Sequence, residues 1–84
     1  MKLSVTSLTI TSAVLWGGVC LMVAVLNVIW PGYGKAFLDL ISSIYPGYEV
    51  TGTLGSVIVG TLYALLDGAV GGALFGWIYN IFAD

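Results

Sequence analysis

From Thr9 to Trp30 the chain carries no charged side chain, and from Thr53 to Phe82 only Asp67 interrupts a second such run. At 1.5 Å of rise per residue the first run makes a helix of about 33 Å, enough to cross the ~30 Å hydrocarbon layer of a bilayer. The second exceeds one bilayer thickness, so it must tilt or project a turn at one end. Pro31-Gly32 ends the first helix, because proline removes a backbone donor and clashes with the preceding turn, and Pro-Gly favours a type II turn. Composition closes off the soluble alternative. Of 84 residues 60% are hydrophobic, and two lysines with four acids cannot cover the surface of a water-soluble domain. The expected fold is all-α and integral to a membrane. It is a hairpin of two transmembrane helices, about 9–30 and 53–82, in a single domain 1–84, with a short interfacial amphipathic helix, about 35–45, in the connector.

On a helical wheel Phe37, Leu38, Leu40, Ile41, Ile44 and Tyr45 fall on one side, with Lys35, Asp39, Ser42 and Ser43 on the other. Such a helix is expected to lie in the interface plane, its apolar face toward lipid or the hairpin mouth, with Lys35 and Asp39 paired at i,i+4. Two copies of one turn bracket it, Trp30-Pro31-Gly32-Tyr33 and Tyr45-Pro46-Gly47-Tyr48. Their four aromatic residues are expected to form a belt at one membrane surface, matched by Trp77, Tyr79 and Phe82 at the other. Two spans place both termini on one side. Lys2 and Lys35 cancel in the positive-inside rule, and the free amino terminus tips the expectation toward termini in the cytoplasm, in the inner membrane of a bacterium.

Every fourth residue of the second span is small: Gly52, Ser56, Gly60, Ala64, Gly68, Gly72 and Gly76. In water this glycine content would weaken a helix by about 1 kcal/mol per residue relative to alanine, whereas in a membrane it lets another backbone approach closely. A strict four-residue period advances about 40° per step on a 3.6-residue helix, so the stripe winds around its helix. One stretch is expected to pack inside the hairpin and another against a neighbouring chain, with Gly71 widening the groove beside Asp67. The first span offers a complementary series, Thr9, Ala13 and Gly17, then Cys20, Ala24 and Asn27.

With Trp30 level with Thr53, Asp67 falls level with Trp16, whose indole N–H is a candidate donor to the carboxyl. Ser12 and Tyr63 are further candidates. An acid at that depth has three readings: a structural hydrogen bond, a hub where several copies meet, or an ion or proton site. Asn27 is a second intramembrane polar group, and Ser56 is its partner by depth; a bridging bond there contributes about 0.6–2 kcal/mol.

No catalytic constellation is legible: there is no histidine, one thiol, no paired carboxylates and no phosphate loop. No cofactor or metal is expected, and two basic residues exclude a nucleic-acid footprint. Cys20 reads as a buried thiol, since Val19 stands where a lipoprotein signal wants a small residue, and no cleavage site follows the first span.

The segments Phe37-Leu38, Ser42-Ser43-Ile44-Tyr45-Pro46-Gly47-Tyr48, Gly55-Ser56, Tyr63-Ala64-Leu65-Leu66-Asp67-Gly68, Gly71-Gly72-Ala73 and Trp77-Ile78-Tyr79-Asn80 carry a likeness. Over roughly residues 14–80 the chain resembles the small two-span bacterial membrane proteins commonly labelled "bacteriophage holin". The resemblance implies an oligomer that opens lesions in the inner membrane, and no catalytic residues. The residues themselves point to a non-enzymatic membrane subunit acting by helix–helix packing. Its partners would be the lipid bilayer and either its own copies or a larger membrane complex. The alternatives are a holin-like pore former and an oligomer conducting protons or cations through Asp67.

Overall fold

The computed structural model describes residues 2–49 and 53–83; Gly52, the first position of the small-residue stripe, lies outside them. Three α-helices make up the fold: α1 (Val5–Ile29), α2 (Lys35–Ile44) and α3 (Leu54–Phe82). No strand occurs among the described residues. α1 and α3 are both long and apolar enough to cross a membrane. They run antiparallel along a body of 49 × 20 × 18 Å. α1 starts a turn earlier than expected because Ser4 caps it, its hydroxyl accepting the Ser7 N–H at 3.2 Å. Thr53 caps α3 in the same way, accepting the Ser56 N–H at 3.2 Å. At the opposite end Asn80 fastens the chain termini together. Its amide donates to the Leu3 carbonyl at 2.8 Å and accepts the Leu3 N–H at 2.7 Å, while Lys2 donates to the Asn80 carbonyl at 3.2 Å.

The winding of the small-residue stripe decides what packs where. Gly60, Ala64, Gly68, Gly72 and Gly76 are all buried, whereas Ser56 is partly exposed. The lower half of the stripe faces α1. A Cβ at Gly68 would lie 2.5 Å from the Ser12 carbonyl oxygen and 3.0 Å from the Ala13 Cα, and one at Gly72 would lie 2.5 Å from the Ser12 Oγ. A Cβ at Gly76 would stand 3.0 Å from Leu8. On α1, Gly17, Cys20, Ala24 and Asn27 are buried, and Gly17 leaves room for Leu65. Four residues higher than Gly68 the stripe has begun to rotate from α1 toward the connector and touches both. Ala64 is wholly buried among Cys20, Ile41, Tyr45 and Tyr48, and a Cβ at Gly60 would come within 2.8 Å of the Tyr48 ring. At Gly60 and Ala64 the stripe is therefore covered by this chain's own connector and not left for a neighbouring chain. The rotation of about 40° per step is what transfers the stripe from one partner to the other.

Of the two directions expected for the connector's apolar face, lipid or hairpin, it takes the hairpin. α2 lies lengthwise in the seam between the long helices, its apolar face inward. Leu38 packs with Ala24 and Val57, Ile41 with Cys20 and Ala64. Tyr45 and Tyr48, expected in an aromatic belt with Trp30 and Tyr33, are only 6% and 5% exposed, while Trp30 and Tyr33 stay at the surface. The two aromatic-Pro-Gly-Tyr turns share a geometry and differ in fate. Gly32 and Gly47 both take positive φ, +99° and +80°, with i to i+3 bonds from Tyr33 N–H to the Trp30 carbonyl and from Tyr48 N–H to the Tyr45 carbonyl, as type II turns require. Burying Leu38, Ile41 and the two tyrosines against the hairpin outweighs leaving them exposed. Lys35 and Asp39 pair at 2.8 Å on the exposed side.

Gly34 makes the reversal possible. It caps α2 with φ +63°, and a Cβ there would lie 2.5 Å from Val23 Cγ1. Gly34→Ala is expected to destabilise the docked connector by about 1–2 kcal/mol, from left-handed backbone strain plus the clash with a stiff β-branched side chain. Hydrogen exchange of the amides of residues 38–44 in detergent micelles reads this directly. Unchanged protection would show that α2 docks without needing glycine at its entrance.

Candidate functional site: an acid at the head of a glycine-floored groove

The register of the hairpin places Gly68 against Ser12, Ala13 and Trp16, so that Asp67 stands level with Trp16. The indole does not reach the acid itself. Trp16 Nε1–H donates to the Tyr45 hydroxyl at 3.0 Å, and the Tyr45 O–H donates to Asp67 Oδ2 at 2.9 Å. A tyrosine hydroxyl can accept one bond and donate another, and a chain polarised in one direction strengthens each member. Two aromatic contacts hold the relay in place. The Tyr45 ring stacks on Tyr63 with centroids 5.1 Å apart and planes 18° from parallel, and Phe37 meets Trp16 edge-on at 5.9 Å. All three partners arrive from different helices: Trp16 from α1, Tyr45 from the C-cap of α2, Asp67 from α3.

The other expected partners of the acid go elsewhere. Tyr63 donates its hydroxyl to the Pro46 carbonyl, fixing the second turn, and Ser12 sits near Gly72 rather than on the carboxyl. Asn27, 9% exposed, does not bridge to Ser56. Its amide donates to the Tyr33 carbonyl at 2.9 Å, tying the first turn to α1, while the Ser56 hydroxyl donates to the Thr53 carbonyl at 2.9 Å. Both corrections have one cause: the connector folds back into the seam and supplies nearer partners than the facing helix. Tyr45 carried a signal that sequence reasoning left unused. Among the side chains of the amphipathic helix's apolar face it alone ends in a hydrogen-bonding group, and a phenol turned inward needs a buried partner.

Below Tyr45 the seam is open. α2 ends at Ile44, and beneath it lies a groove of 420 Å³ between Ser12, Leu15 and Trp16 of α1 and Asp67, Gly68, Gly71, Gly72 and Phe75 of α3. Asp67, Gly71 and Phe75 are spaced four apart and form one wall, with Leu15 and Trp16 opposite. The floor is bare backbone: a Cβ at Gly71 would meet nothing within 4 Å. Asp67 is exposed to this groove, and among the described residues Tyr45 is its one hydrogen-bond partner. Such an arrangement can accept a hydrogen bond or pair with a cation. It holds no nucleophile–base pair, and among the described residues no three of Cys, Asp and Glu gather as a metal site. Cys20 is buried against Ile41 and Ala64.

No protein-family model, curated protein or solved structure matches the chain.

Proposed function

We propose that the chain is a non-enzymatic integral membrane subunit, inserted as a hairpin in a bacterial inner membrane with both termini cytoplasmic, that acts by packing against other transmembrane helices. The apolar exterior supports membrane insertion. Leu15, Leu62, Leu66 and Phe75 are each more than 60% exposed along the length of the two long helices, a surface that water would drive to aggregate and that lipid solvates without penalty. The observation that carries the packing role is the groove at Asp67. From Gly60 to Gly76 the small-residue stripe is taken up by α1 and the connector, so the open seam headed by a carboxyl is the place left for another helix.

The test is the native mass of the protein extracted gently from its source membrane. An assembly, whether homo-oligomeric or a stoichiometric part of a larger complex, is expected. A single 8.8 kDa chain in its detergent belt would end this reading. Large homo-oligomeric rings accompanied by lysis on expression would move the assignment to a holin-like pore.

A further inference from the structure

We propose that the groove beneath α2 seats a transmembrane helix of a different protein, and that this helix presents a basic side chain, lysine or arginine, to Asp67. The inference rests on the membrane-subunit reading above and narrows it to a heteromeric partner of stated chemistry.

Three observations converge. The seam is continuous: its upper half is already filled by a helix, α2, and the lower half has the same walls with nothing in it. At Gly71 the groove is open, with nothing within 4 Å of where a Cβ would stand, so another backbone can approach closely there, as it does at small residues in membrane helix crossings. The carboxyl at its head has its Oδ2 on the Tyr45 hydroxyl and otherwise faces the groove. An acid within the apolar length of a membrane helix is costly, and a basic side chain on an incoming helix would offset that cost by pairing with its free oxygen.

A second copy inserted in the same sense cannot supply that charge. Lys35 is held on Asp39 at 2.8 Å, and its helix begins beside Val23, seven residues or roughly 10 Å along α1 from Trp16. Lys2 is bound at the Asn80 carbonyl, thirteen residues or roughly 20 Å along α3 from Asp67. Copies inserted in one sense keep these levels, so a homomeric contact at the groove would bring a second carboxyl or apolar side chains to Asp67, never a cation. Charge complementarity selects a foreign helix.

The experiment places a photo-crosslinking residue at Leu15, on the groove wall, in the full-length chain in its own membrane, and sequences the crosslinked peptide. The expected product is a peptide from an apolar segment of another protein that contains a lysine or arginine. Its yield should fall at least about tenfold in Asp67→Asn, the loss expected for removing a charge-assisted pair. Asp67→Glu should retain it. Gly71→Leu, whose Cβ meets nothing and whose side chain enters the groove, should abolish it while native mass reports whether other contacts survive. Crosslinks only to peptides of this chain would overturn the inference and leave the subunit reading standing, as would a partner segment lacking a basic residue. Crosslinks to lipid alone, with the chain still in an assembly by native mass, would also overturn it. A monomeric native mass would remove the parent reading instead.

Discussion

Gly72→Leu is expected to force the two long helices apart, lowering stability in detergent micelles by about 3 kcal/mol or more. A Cβ at this position would already overlap the Ser12 Oγ at 2.5 Å and would crowd the Leu8 carbonyl of α1. Overpacking a tight site costs about 1–3 kcal/mol when side chains can yield, and more where the obstacle is backbone. Leucine's better helix propensity returns only about 1 kcal/mol of this. The neighbouring position supplies the control. Gly71 faces the open groove, so Gly71→Leu adds the same side chain to the same helix one residue away and should shift stability by no more than about 0.5 kcal/mol. Thermal unfolding of both variants, followed by near-ultraviolet circular dichroism, compares them directly. Equal losses would mean that glycine content matters through helix propensity or lipid contact, and that the stripe is not the seam of the hairpin.

The second large effect is expected at Tyr45. Tyr45→Phe keeps the ring stacked on Tyr63 and the burial of the C-cap, and removes one oxygen. That oxygen accepts from Trp16 and donates to Asp67, so its loss leaves a half-buried indole N–H without an acceptor and the carboxyl without its donor. Stranding a polar group costs about 1–3 kcal/mol, and with Asp67 exposed the expected loss is about 2 kcal/mol. Because Trp30 and Trp77 are exposed at 65% and 60%, replacing both by phenylalanine isolates Trp16 as a fluorescent reporter. Its emission should shift in Tyr45→Phe, and a double-mutant cycle with Asp67→Asn should show coupling of 0.5 kcal/mol or more. Additive losses and an unmoved Trp16 spectrum would show that the relay contributes nothing as a unit.

Much of the architecture follows from local chemistry alone. Two apolar runs, the second charged only at Asp67, Pro-Gly turns that demand positive φ at Gly32 and Gly47, and an apolar face at helical spacing over Phe37 to Tyr45 determine three helices and their order. Helical rise places Trp16 level with Asp67, because antiparallel helices joined at one end keep their residues in step. Periodicity states which residues share a face, and that much is written in the chain. What a face touches depends on which of several bodies reaches it first, and this only the tertiary structure decided. Gly34 turns the connector back into the seam, so the upper stripe meets Tyr48 instead of a neighbouring copy, Asn27 bonds the Tyr33 carbonyl instead of Ser56, and Asp67 receives a tyrosine from α2 instead of the indole beside it. The physical reason is that hydrogen bonds and close packing are satisfied by proximity in space. Residues 16, 45 and 67 become neighbours only when the burial of Leu38, Ile41 and Tyr45 makes the folded-back connector the lower-energy arrangement.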